Sequence, residues 1–137
     1  MGGFMIAEVA RLLKKNKKQL PFGLYITNSV QEEIGLRGAE MITQRIKPNV
    51  AIVTDVTHDT TTPMINKKKE GDTKIGGGPV ISYAPAVQNK LREMIIETAE
   101  NKKIPFQRLA ASRMTGTDTD AFAYSNGGIA SSLISLP

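Results

Sequence analysis

The stretch Val50-Ala51-Ile52-Val53-Thr54-Asp55 decides the fold, because four consecutive apolar residues lead to a carboxylate. An uninterrupted apolar run of this length predicts a β-strand that is covered by helices on both faces. Residues at the carboxyl ends of such strands form the ligand-binding edge of open α/β sheets. The run therefore predicts an α/β sheet and places Asp55 at its functional edge.

Helical and strand patterns alternate on either side of this strand. Apolar residues recur at three- and four-residue spacing in the helical segments, and β-forming residues alternate with polar ones in the strand segments. The predicted helices cover 5–13, 38–46 and 86–101, with a helical turn at 120–124, and the predicted strands cover 22–26, 50–53, 80–83, 106–109 and 129–136. This order favours a three-layer α/β/α fold with a mostly parallel sheet.

The composition of the 137 residues is typical of one globular domain, with 40% hydrophobic and 23% charged residues. No apolar run approaches the roughly 20 residues of a membrane-spanning helix, and no cysteine is present for disulfides or thiolate metal sites. The net charge of +5 comes largely from lysine-rich segments at 14–18 and 67–69, which lack interleaved aromatic residues for base stacking. We therefore expect no membrane or nucleic-acid partner, and the cytoplasm is the simplest location.

Glu32 and Glu33 stand side by side between the predicted strand at 22–26 and a turn bracketed by glycines. Neighbouring residues on an extended segment point in opposite directions, so two such carboxylates suit different tasks. One can bind a metal ion while the other takes a proton from a water on that ion. The alternative is a solvated pair favoured by the dipole at a helix N-terminus, and the pair alone does not exclude it.

Asp55 and His58 lie in the run Thr54-Asp55-Val56-Thr57-His58, directly after the buried strand. Asp55 is a candidate metal ligand, and the alternative is a polar residue that caps the following turn. His58 is the only histidine in the chain, and it is a candidate for orienting a metal ligand from behind. An ordinary loop histidine is the alternative.

Two segments that contain glycine are candidates for turns or for a substrate pocket. The run Gly76-Gly77-Gly78-Pro79 is not followed by Lys-Ser or Lys-Thr, so it does not match a phosphate-binding loop. A tight turn or a close backbone approach explains it better. The segment after Thr115 fits either a helix-capping turn or a substrate pocket, with Gly116, Thr117 and Asp118 as the pocket candidates.

Four motifs occur in an order that resembles the dinuclear-metal aminopeptidases, a group that includes glutamyl, deblocking and tetrahedral self-assembling aminopeptidases. The motifs are Val30-Gln31-Glu32-Glu33-Ile34-Gly35-Leu36-Arg37-Gly38-Ala39, Asp55-Val56-Thr57-His58, Gly76-Gly77-Gly78-Pro79 and Gly116-Thr117-Asp118-Thr119-Asp120. The resemblance covers nearly the whole chain. It implies a catalytic α/β domain of the zinc-exopeptidase type, to which family members add a smaller inserted β domain.

Carried over by position, the resemblance implies that Glu32 is the general base, that Glu33 binds one metal ion and that Asp55 binds a second. Two Zn²⁺ or Co²⁺ ions would then activate a water for attack on the first peptide bond of a short peptide. Members of the family also resemble one another in assembling into dimers and hollow dodecamers. Short peptides and further copies of the chain are therefore the implied partners.

The chain also departs from the family pattern. A histidine in an upstream His-x-Asp motif, a bridging aspartate and a histidine in an Arg-Tyr-x-His motif are missing from residues 1–137, as is the inserted β domain. We therefore expect these residues to be a single domain that forms the C-terminal part of a catalytic domain. A catalytic zinc usually has about three protein ligands, so we expect this chain alone to bind metal weakly and to lack aminopeptidase activity.

Two other functions stay open. A non-catalytic remnant or oligomer subunit would keep the fold and lose the complete metal site. An endoglucanase-type glycoside hydrolase would also use two carboxylates, but these must face each other at least about 5 Å apart across the scissile bond, which consecutive residues do poorly. An upstream aspartate and a downstream histidine in the full-length protein would favour the aminopeptidase over the remnant.

Overall fold

A four-stranded sheet with helices on its faces forms the framework of the chain. The computed structural model describes residues 2–17 and 19–137. In chain order the elements are α1 (Gly2–Lys15), α2 (Arg37–Ile46), β1 (Val50–Val56), α3 (Lys67–Glu70), β2 (Val80–Tyr83), α4 (Asn89–Asn101), β3 (Gln107–Ala110), α5 (Asp118–Ala123) and β4 (Ala130–Leu136). Over the described residues, none of these helices combines the length and the apolar character needed to cross a bilayer.

The sheet is mixed, with the strand order β1-β4-β2-β3. β1 runs parallel to β4 with Asp55 opposite Ser135, and β2 runs parallel to β3. β4 and β2 are antiparallel, with Val80 opposite Ser135. Because two of the three strand pairings are parallel, the predicted mostly parallel sheet is confirmed. The antiparallel join between β4 and β2 is a feature that the sequence pattern does not indicate, and β1 lies at one edge of the sheet.

Helices cover both faces of the sheet, as the three-layer prediction requires. α5 contacts α2 and packs on β1 and β4, on the face toward which Ala51 and Val53 point. α4 packs on β2 and β4 from the opposite face, where the guanidinium carbon of Arg92 lies 4.0 Å from the ring centre of Tyr83. α1 contacts β1 on that second face, next to Thr54.

One cluster of the core lies between the sheet and the layer formed by α2 and α5. Its buried residues are Ala39, Ala51, Ala121, Phe122 and Ile129. Three of these five side chains are single methyl groups, so the two helices approach the strands closely. This packing holds the beginnings of α2 and α5 near β1.

α4 and α5 begin where a side-chain oxygen accepts a backbone N–H, because the first N–H groups of a helix have no partner within it. Gln88 Oε1 accepts the N–H of Leu91 at 2.6 Å. Thr117 Oγ1 accepts the N–H of Thr119 at 3.3 Å. Because of these caps, α4 begins three residues later than predicted, and α5 begins two residues earlier than predicted.

The strand predicted at 22–26 is wrong. This segment belongs to no helix or strand, and the side chains of Phe22, Leu24 and Tyr25 are exposed. β-forming residues make a strand only where a neighbouring strand supplies backbone partners. None of the four strands in the described part of the chain pairs with this segment.

β1 also differs from its prediction. It continues to Val56, so Asp55 lies within the strand rather than beyond its end. Only one face is well covered: Ala51 is buried, whereas Val50, Ile52 and Val56 on the other face are 51–66% exposed. The short helix α3 lies in the lysine-rich loop, where the sequence pattern does not indicate a helix.

Gly78 marks the closest approach between the loops that precede β2 and β3. Its φ is +90°, and a Cβ at this position would lie 2.1 Å from the carbonyl oxygen of Pro105. The Nε2 of Gln107 joins the same loops by donating to the carbonyl oxygens of Lys74 and Gly78, both at 2.9 Å. The close backbone approach predicted for the glycine run is therefore confirmed.

We predict that Gly78→Ala lowers the free energy of unfolding by about 2–4 kcal/mol, because the methyl group must displace the backbone at Pro105 and the left-handed conformation is strained. Gly76→Ala is the matched control, since its φ is +81° but nothing lies within 4 Å of the new Cβ. It should cost only about 1–2 kcal/mol. Urea unfolding followed by circular dichroism measures both, and equal losses would contradict the prediction.

Candidate active site

Glu32 and Glu33 lie on a tight loop, residues 29–38, which leads into α2 and is called the Glu loop below. The N–H of Leu36 donates to the carbonyl oxygen of Glu32 at 3.0 Å, so the pair sits on a turn rather than at the end of a strand. Glu32 is partly buried and Glu33 is exposed. The two carboxylates therefore occupy different surroundings.

Gly38 closes the Glu loop against its own beginning. Its N–H donates to the carbonyl oxygen of Val30 at 3.0 Å, and a Cβ at Gly38 would lie 2.4 Å from that oxygen. Only glycine permits this contact. Gln31, directly before the glutamate pair, has a φ of +60°, a left-handed conformation that costs a non-glycine residue about 1–2 kcal/mol. Strained backbone of this kind is concentrated at functional sites.

Asp55 enters the same region from β1. Its side chain is partly buried, and its Oδ1 accepts the N–H of Val56 at 2.7 Å. The pairing of β1 with β4 continues past the strand, because the N–H of Thr57 donates to the carbonyl oxygen of Leu136 at 2.8 Å. The backbone that carries Asp55 is thus held by β4 both before and after this residue.

Asp118, the first residue of α5, brings a further carboxylate to the site. Its Oδ2 accepts a hydrogen bond from the hydroxyl of Ser29, at the start of the Glu loop. Its Oδ1 is buried and has no hydrogen-bond partner within the described residues. The sequence does not reveal the contact with Ser29, because the two residues are 89 positions apart. The order of the Glu-Glu and Gly-Thr-Asp motifs is the one signal that relates them.

The side chains of Glu32, Glu33, Asp55 and Asp118 are called the carboxylate cluster below, because the other three carry negative charges that act on Glu32. Burial raises the pKa of Glu32 above its ordinary value, and the negative charges of the other three members raise it further. Burial also raises the pKa of Asp118; the hydrogen bond from Ser29 opposes this shift and the charge of Asp55 adds to it. The structure thus brings together the predicted base, both predicted metal ligands and one pocket candidate.

His58 lies on the loop after β1 and is not one of the groups that raise the pKa of Glu32. Its side chain is exposed, and its backbone carbonyl oxygen accepts a hydrogen bond from Thr73 Oγ1 at 2.6 Å. This bond fixes the loop after β1. An orienting role for the imidazole stays a prediction.

The carboxylate oxygens of the cluster are the type of atom that binds a divalent metal ion, but too few of them are arranged to hold one. Carboxylate oxygens are accepted ligands of zinc and of other divalent ions. Within residues 2–17 and 19–137, however, no three histidine, cysteine, aspartate or glutamate side chains are arranged to hold an ion. A catalytic zinc usually has about three protein ligands. The described residues therefore supply only part of a donor set.

Gly116 and Thr117 fix the turn that precedes α5. Thr117 caps the helix, and Gly116, whose φ is +71°, donates its N–H to Asp120 Oδ2 at 2.9 Å. The predicted capping turn is therefore confirmed, while the pocket role stays a prediction. A cavity of about 70 Å³ lies between this turn and the carboxyl ends of β1 and β4. A larger groove of about 490 Å³ runs between the Glu loop and α2.

The raised pKa of Asp118 predicts a pH-dependent difference in stability. A carboxyl group whose pKa is higher in the folded chain contributes its full stability below the unfolded pKa, about 3.9 for aspartate, and loses it as the pH rises through the folded pKa. Asp118→Asn removes this loss. Its stability relative to the original chain should therefore increase between about pH 3.5 and about pH 7, as measured by urea unfolding.

Asp72→Asn is the matched control for this measurement. Asp72 is exposed, and its hydrogen bond with Lys67 lowers its pKa. A lowered pKa adds stability as the pH rises, so the relative stability of Asp72→Asn should change in the opposite direction. The same direction for both variants would contradict the assignment.

Comparison with known proteins identifies relatives across the whole chain. The family model described as M42 glutamyl aminopeptidase matches residues 1–137. Lysyl aminopeptidase from Pyrococcus furiosus is 36% identical over 134 residues, which cover 98% of this chain and 37% of that protein. The chain spans 30% to 40% of the length of the curated relatives that it matches.

Solved structures agree with this assignment. The TET aminopeptidase of the marine sediment archaeon Thaumarchaeota archaeon SCGC AB-539-E09 superposes with a TM-score of 0.88 at 32% identity, over 98% of this chain and 38% of that one. PhTET1-12s, described as a dodecamer in the asymmetric unit, has a TM-score of 0.59 at 26% identity, over 80% of this chain and 31% of that one. Since the family model matches residues 1–137, this chain belongs to the M42 glutamyl aminopeptidase family.

Proposed function

We propose that this chain forms part of a metal-dependent aminopeptidase that removes N-terminal residues from short peptides. The carboxylate cluster carries the proposal, because it gathers the Glu-Glu pair, Asp55 and Asp118 in a member of an aminopeptidase family. The chain spans less than half the length of its curated relatives. The activity, the substrate and the metal requirement are therefore proposed for the full-length protein.

In this proposal Glu32 is the general base that takes the proton of the attacking water. A base works best when its pKa lies near the operating pH, and the partial burial of Glu32 moves its pKa in that direction. The exposed Glu33 and the strand-held Asp55 are each proposed to bind one metal ion. Two Zn²⁺ or Co²⁺ ions would supply Lewis acidity and lower the pKa of a bound water.

The proposed site has further parts. His58 would orient a metal ligand, and Gly116, Thr117 and Asp118 would line the substrate pocket beside the Glu loop. The remaining metal ligands would come from outside residues 1–137, which we propose to be one part of a single catalytic domain. An oligomeric assembly is proposed because a similar structure is described as a dodecamer.

Two alternatives lead to different experiments. A non-catalytic subunit of the same fold is supported by one observation, since no three ligands are arranged for a metal ion within the described residues. Glycoside hydrolysis is less well supported. Glu32 and Glu33 are adjacent on one tight loop, whereas a glycosidase needs carboxyl groups on opposite sides of the scissile bond.

We predict that Glu32→Gln in the full-length protein lowers kcat for peptide p-nitroanilides by about 10²- to 10⁴-fold with unchanged metal content. Glutamine keeps the shape of the side chain but cannot act as the base. Glu40→Gln, at an exposed position on α2, is the matched control and should keep the original kcat. Normal turnover by Glu32→Gln with normal metal content would assign the base to another group.

Metal binding separates the full-length protein from the 137-residue chain. We predict that calorimetric titration of the 137-residue chain with Zn²⁺ at neutral pH shows only weak binding, because its two proposed ligands belong to different ions. Chelation should abolish turnover by the full-length protein, and Zn²⁺ or Co²⁺ should restore it. Two tight sites in the titration would show that these residues hold a complete centre.

A further inference from the structure

Asp118 connects α5 to the Glu loop, and no step of the proposed chemistry uses it. Its Oδ2 accepts a hydrogen bond from the hydroxyl of Ser29, the first residue of the Glu loop. We propose that Asp118 is a positioning residue that fixes the Glu loop, and with it Glu32, through this hydrogen bond. The catalytic consequence rests on the proposed function, but the structural tether does not.

At its end the Glu loop is held by Leu36, which packs on the core, and by α2; its beginning is linked to the rest of the chain through Ser29. The backbone hydrogen bonds described above for this loop join its own residues. Among the side-chain hydrogen bonds of the described residues, the one between Ser29 and Asp118 links the loop to another element. Gln31 and Leu36 have φ values of +60° and +56°, which non-glycine residues keep only where their surroundings hold them. The tether supplies such a constraint.

α5 provides a rigid anchor for this tether. Thr117 caps its first turn, and Ala121 and Phe122 are buried in the core against β1 and β4. The carboxylate of Asp120 accepts backbone N–H groups of the preceding turn, which fixes the chain where it enters the helix. α5 therefore fixes the position of Asp118, and the hydrogen bond from Ser29 holds the start of the Glu loop against it.

The carboxylate of Asp118 does not stabilise the folded chain. The residue is 8% exposed, and its Oδ1 has no partner within the described residues. A buried carboxylate with a single hydrogen bond disfavours the folded state, and the nearby charge of Asp55 adds repulsion. A neutral side chain would be more favourable here. Residues that function requires at some expense of stability are common in active sites.

A double-mutant cycle in the full-length protein tests the proposal. Ser29→Ala removes the donor and Asp118→Ala removes the acceptor, so each should lower kcat for peptide p-nitroanilides by about 10- to 100-fold. The KM of Ser29→Ala should stay within about threefold, because this change displaces Glu32 without removing a substrate contact. The double variant should be no slower than the slower single variant, since both changes remove the same contact.

A conservative variant and a matched control complete the cycle. Ser29→Thr keeps a hydroxyl donor, so it should retain kcat within about threefold. Ser125→Ala removes a hydroxyl bond of 2.5 Å to the carbonyl oxygen of Ala121 after α5, and it should leave kcat and KM unchanged. Additive losses in the double variant, or an original kcat in both alanine variants, would overturn the proposal.

Hydrogen exchange of the 137-residue chain tests the tether without turnover. The N–H groups of Leu36 and Gly38 should exchange at least about tenfold faster in Ser29→Ala than in the original chain or in Ser125→Ala. Unchanged exchange would overturn the tether. Faster exchange, in a protein whose full-length form shows no aminopeptidase activity, would uphold the tether and refute the proposed function instead.

Discussion

Close packing of small side chains between β1, α2 and α5 is the constraint on which the rest of the structure depends. Ala51 in β1, Ala39 in α2 and Ala121 in α5 are each no more than 8% exposed, so the three backbones meet at short range. Each of these elements also delivers part of the carboxylate cluster: the Glu loop runs into α2, Asp55 lies in β1, and Asp118 begins α5. A larger side chain at any of the three alanines would push the carboxylates apart.

The carboxylate cluster concentrates acidic side chains in a chain whose net charge is positive. The chain carries a net charge of +5, yet burial raises the pKa values of Glu32 and Asp118, and neighbouring carboxylates add to both shifts. Four acids so placed repel one another in the absence of a cation. Under the proposed function, divalent ions would offset this repulsion, and metal binding would then be coupled to the stability of the fold.

Much of the fold could be predicted from local pattern, because hydrophobic periodicity reports which side chains a helix or strand must bury. The strand at 80–83 and the helices around 38–46 and 86–101 follow that rule. The strand predicted at 22–26 fails, since pairing depends on a neighbour that local sequence cannot show. The exposure of one face of β1 could not be predicted for the same reason: apolar residues reveal a preference for burial but not how well another layer covers them.

The candidate site was predictable in part. Glu32 and Asp55 could be selected because their motifs lie at turns and strand ends, where binding residues accumulate. The tether between Ser29 and Asp118 could not, because it joins loops 89 positions apart through two common polar side chains. Backbone strain at Gln31 and the exclusion of any Cβ at Gly38 likewise arise only from the folded conformation of the loop.

The position of β1 at the edge of the sheet has a consequence for handling the 137-residue chain. Three of its seven side chains are exposed and apolar, and the outer backbone of an edge strand offers hydrogen-bonding groups to a second strand. In concentrated solution, one copy of the chain would thus add to the sheet of another copy through this edge. Self-association through β1 would then limit the concentration at which the 137-residue chain can be used.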